Sequence, residues 1–413
     1  MSAPLSRPAR RTRVVVTGMG MVSAAGNGVE TGWSLLTAGR TALRPIALFD
    51  GEPYGGQLAG EAQHLPRQEG LARGLQLLDV ALDEVLADSG WGDEQRGPDT
   101  GVVLGTCQGD IEAAGTIHRE FAQRPHRAAT DADVAALAGY RPGAGTAFVA
   151  DRIDAGGPRA TIGMVCVSSS VAILHAVDLL RRGECKRVLA GGFEGFSQFV
   201  FTGFQCIGAL ASGALKPFDE ERDGTALGEA AVLLTLETLE EAEARGATIR
   251  AEVVGGGVAA DAFHMTAPDP EGGGLERAIR QAFAEAGVGP ADVDYISAHG
   301  TGTVFNDGME RAAFARVFGE LAAEGLMPPT SGAKAVFGHT LGAAGALDAV
   351  TAILAMQRGI LPPTVAHDQP IADWDFVPGR GRTSATPLRA ALSTNSAFGG
   401  NNSALLLRRW EGV

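Results

Sequence analysis

The sequence predicts an α/β layered sandwich made of two similar halves, and three observations carry that expectation. Two helical runs, 171–183 and 345–359, are apolar on nearly all faces and both end in Arg-Gly. Helices apolar all round belong in the middle of a layered structure, and the glycine marks the helix stop. Each run also follows a turn that carries a chemically useful side chain, Cys166 in the first and His339 in the second. Strand-like runs then flank both units, at 14–16 and 187–192 in one and at 251–254 and 293–296 in the other. The chain therefore divides near Arg250, after the charged helix 236–245. This leaves a disordered tail at 1–13, a half over 14–250 with Cys166, and a half over 251–413 with His299 and His339. The stretch 113–143 is polar and reads as irregular.

Composition bounds the class. At 413 residues and 45% hydrophobic content the chain can bury a large core. Four cysteines in this length do not make a disulfide framework. The start has arginines but no apolar signal region, and no uncharged apolar run is long enough to span a membrane. A cytoplasmic location is expected. A net charge of -14 argues against nucleic acid as a partner.

Cys166 lies between a strand-like and a helix-like run, in Thr161-Ile-Gly-Met-Val-Cys166-Val-Ser-Ser-Ser170. Unsatisfied N–H groups at a helix start favour thiolate and can hold an oxyanion. Most free cysteines are instead small buried hydrophobes. Two histidines strengthen the nucleophilic reading. His299 sits in Ser297-Ala-His299-Gly300-Thr301-Gly302-Thr303, and His339 in Lys334-Ala-Val-Phe-Gly338-His339-Thr-Leu-Gly342. Both are framed by glycines, as where a backbone turns sharply or approaches a ligand. His64, His118, His126, His175 and His367 have no such setting.

With these motifs the chain resembles the β-ketoacyl synthases, the condensing enzymes of the thiolase superfamily. The likeness runs nearly end to end. It covers Val14-Val-Val-Thr17-Gly-Met-Gly20, the cysteine turn, Lys216-Pro-Phe-Asp-Glu-Glu-Arg222-Asp223-Gly224, Asp261-Ala-Phe-His264-Met-Thr-Ala-Pro268, both histidine turns and Asn395-Ser-Ala-Phe398-Gly-Gly400. The resemblance implies a thiolase fold of stacked α-β-α-β-α layers and an acyl-carrier-protein-dependent acyltransferase. It makes Cys166 the acyl acceptor, and His299 and His339 the catalytic histidines. Lys334, Asp307 and Glu310 become supporting charges, although a buried ion-pair network without chemical role fits those three equally well. Thr301 and Thr303 match threonines that hold the phosphopantetheine arm, and the N–H groups of Cys166 and Phe398 match the oxyanion hole. Neither a metal nor a cofactor is implied beyond that arm. The implied partners are acyl carrier protein and either a second copy or a chain-length-factor-like subunit, with cap-like helices expected within 113–143.

Carrier proteins are acidic, so an acidic enzyme needs a local basic patch to dock one. Arg67, Arg73 and Lys216 are the expected docking residues. The acyl pocket and its gate are expected to involve Gln108, Phe204, Ser396, Ala397 and Phe398. Three departures from the fatty-acid pattern bear on substrate. The gate loop is one residue and one phenylalanine short, Gln108 stands where an apolar residue is usual, and Ser168, Ser169 and Ser170 make the cysteine helix polar. They favour a polyketide or polyene ketosynthase over housekeeping fatty-acid elongation. A non-catalytic chain-length factor would lack the cysteine. A cysteine hydrolase would have no use for the second histidine, and a degradative thiolase needs a second cysteine late in the chain, where none follows Cys206.

Overall fold

The computed structural model describes residues 11–54, 57–68, 71–109, 111–138 and 140–412. In the first half these are β1 (Val14–Ser23), α1 (Arg73–Ser89), β2 (Thr100–Gly105), β3 (Arg159–Ile162), α2 (Ser168–Arg181), β4 (Arg187–Glu194), α3 (Gln198–Cys206) and β5 (Ala230–Thr238). In the second half they are β6 (Ala251–Ala260), α4 (Gly273–Ala286), β7 (Tyr295–Ser297), α5 (Val304–Ala323), β8 (Thr330–Ser331), α6 (Ala344–Arg358), β9 (Ala390–Ala397) and β10 (Asn401–Arg409).

Strand order shows the duplication directly. The first half runs β3-β2-β4-β5-β1 and the second β8-β7-β9-β10-β6. In each, the first three strands are parallel and the last two antiparallel. The halves join where Val15 and Val16 of β1 pair with Glu252 and Ala251 of β6. Helix α1 covers β1 and β5 on one outer side, α4 covers β6 and β10 on the other, and α2 and α6 lie together between the sheets. This is the five-layer sandwich that the resemblance implies.

The central helices explain why the sequence needs small residues. In α6 every position from Ala344 to Met356 is buried, whereas α2 leaves Asp178 exposed at its outer end. A side chain at Gly345 would place its Cβ 2.7 Å from the Cβ and backbone nitrogen of Ser170, so α6 approaches α2 backbone to backbone. Gly359 ends α6 in the left-handed region at φ 62°.

Two expectations are corrected. The tail was expected over 1–13. Residues 1–10 lie outside the described residues, but Arg13 is packed, holding Glu252 through Nε at 2.8 Å and Nη2 at 2.7 Å. The stretch that reads as irregular by pattern contains helices Ile111–Gln123 and Asp131–Ala138, as the resemblance implied. Arg127 ties them through Glu120 and Asp133.

Because the α2–α6 contact leaves no room for a methyl group, Gly345→Ala should lose about 1–3 kcal/mol of stability by overpacking. Denaturant unfolding reads this, and an unchanged midpoint would show that the helices can part.

Candidate active site

Cys166 is presented by a strained turn. Val165 has φ +51°, a conformation that a β-branched residue rarely adopts. Such strain costs on the order of 1–3 kcal/mol and persists only where surrounding contacts enforce it. Ser168 supplies them, its Oγ accepting from Met164 N at 2.9 Å and lying 2.6 Å from the Val165 carbonyl. A single 3-10 turn, Val165–Val167, then leads into α2. The second half repeats the device: Leu341 has φ +49° and a 3-10 turn, Leu341–Ala343, leads into α6. Gly342 there occupies the place that Cys166 has in the first turn. It must be glycine, since a Cβ would fall 2.6 Å from both Cys107 N and Glu194 Oε2.

The two turns bring three side chains together. Cys166 is 4% exposed, and its Sγ lies 3.0 Å from His339 Nε2. The His299 ring stands edge-on to that of His339, centroids 5.1 Å apart at 85°. One ligand atom from each of the three lies within 4.8 Å of the others. Among the described residues these three could also hold a soft metal ion, which would occupy the sulfur lone pair that an acyl group needs. They meet at a cavity of about 260 Å³, lined also by Phe204, Thr301, Thr303, Ser396, Ala397 and Phe398.

Each histidine is held by its own loop. The backbone N–H groups of His299 and Gly300 donate to the two oxygens of Glu310, at 2.8 and 2.7 Å. Thr301 N–H donates to Asp307 at 2.9 Å. Both carboxylates come from the first turns of α5, so Asp307 and Glu310 strap the His299 loop in place without reaching the sulfur. Thr303 caps that helix, and its hydroxyl lies 2.9 Å from that of Thr301. Lys334 pairs with Asp348 at 3.2 Å, and Asp348 Oδ2 accepts from Asn395 Nδ2 at 2.7 Å. The same amide nitrogen lies 3.2 Å from His299 Nδ1. Asn395 therefore presents N–H to Nδ1, which fixes the His299 proton on Nε2.

Electrostatics follow from burial and neighbours. A hydrogen bond from the Cys107 thiol, helped by the charges of His339 and Lys334, holds the Cys166 thiol well below its ordinary value despite burial. The same contact, together with burial, pushes Cys107 well up. Burial, then Lys334 and His339, push His299 well below the usual imidazole range, so it is neutral. Burial raises Glu194 to about 7 although it accepts from Cys107, Gln108 and Gly342 N–H groups.

Several expected residues stand elsewhere. Arg73 is corrected: it is 4% exposed and its guanidinium is spent on buried Glu229 at 2.6 Å, so it offers no docking surface. Arg67 donates to the Phe196 carbonyl and is partly exposed. Lys216 is partly exposed and paired with Glu221. The Gln108 backbone N–H donates to Glu194, and the residue is partly exposed. The shortened gate loop is a tight hairpin in which Gly399 and Gly400 have φ 83° and 74° and the Phe398 ring packs 5.6 Å from Phe204. Sequence reasoning missed Asp348, Asn395, Glu194 and Cys107. Asp348 had a signal, being the one charge inside an otherwise apolar run before Arg358.

Burial and the neighbouring Asp307 raise Glu310 from its ordinary 4.5 to about 8. A carboxyl raised on folding binds its proton more tightly in the folded state. Its contribution is present at low pH and lost as pH rises from about 4.5 through about 8. Wild-type stability relative to Glu310→Gln should therefore fall across that window in denaturant titrations. A difference independent of pH would refute the buried, protonated carboxyl.

Comparison with known proteins agrees with the geometry. Residues 11–242 match the β-ketoacyl synthase N-terminal domain and residues 250–368 its C-terminal domain. The chain is 34% identical to 3-oxoacyl-[acyl-carrier-protein] synthase 2 of Staphylococcus aureus, over 97% of this chain and 99% of that one. It is 37% identical to a putative polyketide beta-ketoacyl synthase 1 of Streptomyces cyaneus, over 96% and 97%. The solved ishigamide ketosynthase/chain length factor matches with a TM-score of 0.90 at 34% identity, covering 97% of this chain and 100% of that chain. An acyltransferase fold with duplicated turns, matched along nearly its whole length, places the chain in the β-ketoacyl synthase family.

Proposed function

We propose that this enzyme joins an acyl group held on Cys166 to malonyl-acyl-carrier-protein by decarboxylative Claisen condensation, in polyketide biosynthesis. The observation that carries the reading is the Cys166 sulfur 3.0 Å from His339 Nε2, with His299 packed against that ring at the cavity. The Cys166 thiolate attacks the carbonyl of an acyl thioester, the carrier's thiol departs with a proton, and the acyl group stays on the protein. Malonyl thioester then enters the same cavity. Its carbon–carboxylate bond breaks, carbon dioxide leaves, and the electron pair moves onto the thioester oxygen as an enolate. The Nε2–H groups of His299 and His339 donate to that oxygen and stabilise the charge in a buried site. The enolate carbon attacks the acyl carbonyl, whose oxygen is received by the N–H groups of Cys166 and Phe398. Collapse expels the Cys166 thiolate and closes the cycle. Thr301 and Thr303 hold the phosphopantetheine arm, Phe204, Ser396, Ala397 and Phe398 gate the acyl path, and Lys334, Asp307 and Glu310 position the histidine loops. This balance needs no cofactor beyond the carrier's own arm.

The polyketide reading is supported by the likeness to the Streptomyces cyaneus protein and by the shortened gate hairpin. It brings acyl carrier protein as a partner, met at Arg67 and Lys216, and a second copy or a chain-length-factor-like subunit as the other. Housekeeping fatty-acid elongation is the alternative that the Staphylococcus aureus relative favours. Steady-state competition between a saturated and an oxygenated acyl-carrier-protein substrate of equal length separates the two. Preference for the saturated chain would overturn the polyketide assignment.

Cys166→Ala should abolish the acyl-enzyme adduct in intact mass spectra, and an adduct on that variant would remove the nucleophile assignment. His299→Ala and His339→Ala should each slow carbon dioxide release from malonyl-carrier-protein by roughly 100- to 1000-fold, the usual loss of one oxyanion donor. Acylation of Cys166 should suffer less in His299→Ala. Equal losses in both steps would mean that the histidine only maintains the site.

A further inference from the structure

The condensation uses one thiol, yet a second cysteine, Cys107, packs in the same apolar cluster as Cys166. Cys107 follows β2 and Cys166 follows β3, and these strands are parallel neighbours in which Gly105 pairs with Ile162. Both cysteines leave the same end of this strand pair, whose strands run about 4.8 Å apart. The two segments stay together beyond the strand ends. Thr106 N–H donates to the Ile162 carbonyl at 3.1 Å, and Ser168 Oγ to the Thr106 carbonyl at 3.2 Å. Cys107 and Cys166 belong to one apolar cluster, and Cys107 lies close enough to favour the Cys166 thiolate. Cys107 is partly exposed, and Cys166 lines a cavity open to small solutes.

We propose that Cys107 is a resolving thiol for Cys166, so that a hydroperoxide converts the pair into a reversible disulfide that shuts the site and shields the nucleophile from permanent oxidation. The Cys166 thiolate attacks the distal peroxide oxygen, the O–O bond breaks, and after proton uptake an alcohol or water leaves with Cys166 as sulfenic acid. Cys107 sulfur then attacks the Cys166 sulfur, its proton joins the departing hydroxyl as water, and the S–S bond forms. Two thiols lose two electrons, and the peroxide gains them. Without a neighbour, a sulfenic acid proceeds to the irreversible sulfinic state. The other cysteines fit no such role. Burial pushes the Cys185 thiol up to about 11, and Cys206 is exposed on α3. Only the functional consequence rests on Cys166 being the acyl acceptor; the bond itself does not.

The test uses the full-length protein carrying Cys206→Ser, with and without Cys107→Ser, treated with hydrogen peroxide. Circular dichroism first confirms that both are folded. The parent should lose the mass of two hydrogens and yield a cross-linked peptide joining Cys107 to Cys166. A dithiol reductant should then restore its own starting activity. In Cys107→Ser the recovered fraction should fall by about tenfold or more, with Cys166 found as sulfinic acid. Loading the parent with an acyl thioester beforehand should block the cross-link. Cross-linking in a protein that cannot be acylated would leave the thiol pair standing and remove the acyl-acceptor reading. Absence of the cross-link, with Cys166 sulfinic and Cys107 still alkylatable in the parent, would overturn the proposal. So would equal recovery in both proteins, which would show that Cys107 gives no protection.

Discussion

Glu194 ends β4 between two tight turns, and both of its oxygens are engaged by backbone N–H groups. Oε2 accepts from Cys107 at 2.6 Å and from Gly342 at 3.1 Å, and Oε1 from Gln108 at 3.2 Å. The donors come from both halves of the duplicated fold, so one buried carboxyl holds the loop beside Cys166 against the turn that follows His339. The geometry of the site depends on this closeness. The turns are strained at Val165 and Leu341, and Ser168 holds the first of them from within its own turn.

Duplication then divides the chemistry. The turn in the first half carries Cys166, and its counterpart carries glycine where a second side chain would collide with Glu194 and Cys107. The space thereby left free is bordered by His339 on its own turn and His299 from the β7 loop. Charged residues behind the histidines act on orientation. Asp307 and Glu310 hold backbone, while Lys334, Asp348 and Asn395 form a chain whose last amide sets the His299 tautomer. These groups are buried, and burying carboxyls that lack partners would cost several kcal/mol each. Their partners explain why they are tolerated.

Much of this was legible in the sequence because it is local. Apolar-all-round helices announce a central layer, Arg-Gly announces their ends, a helix start singles out Cys166, and glycine-framed turns single out His299 and His339. What the sequence hid is pairwise and distant. Arg73 reads as a surface cation until Glu229, far along the chain, is seen to bury it. Cys107 reads as an inert small residue because its neighbour depends on strand register and not on spacing. The helices between residues 111 and 138 were implied by the resemblance and not by composition, because that stretch is polar overall.

The central claim is that this packing turns Cys166 into a thiolate, and its alkylation rate as a function of pH tests that most directly. Mass-resolved labelling with iodoacetamide follows Cys166 separately from Cys107, Cys185 and Cys206. The account predicts that the Cys166 rate levels off well below the ordinary thiol value of 9.0, because the Cys107 hydrogen bond and the charges of His339 and Lys334 outweigh burial. A rate that keeps climbing to that value or beyond would contradict it.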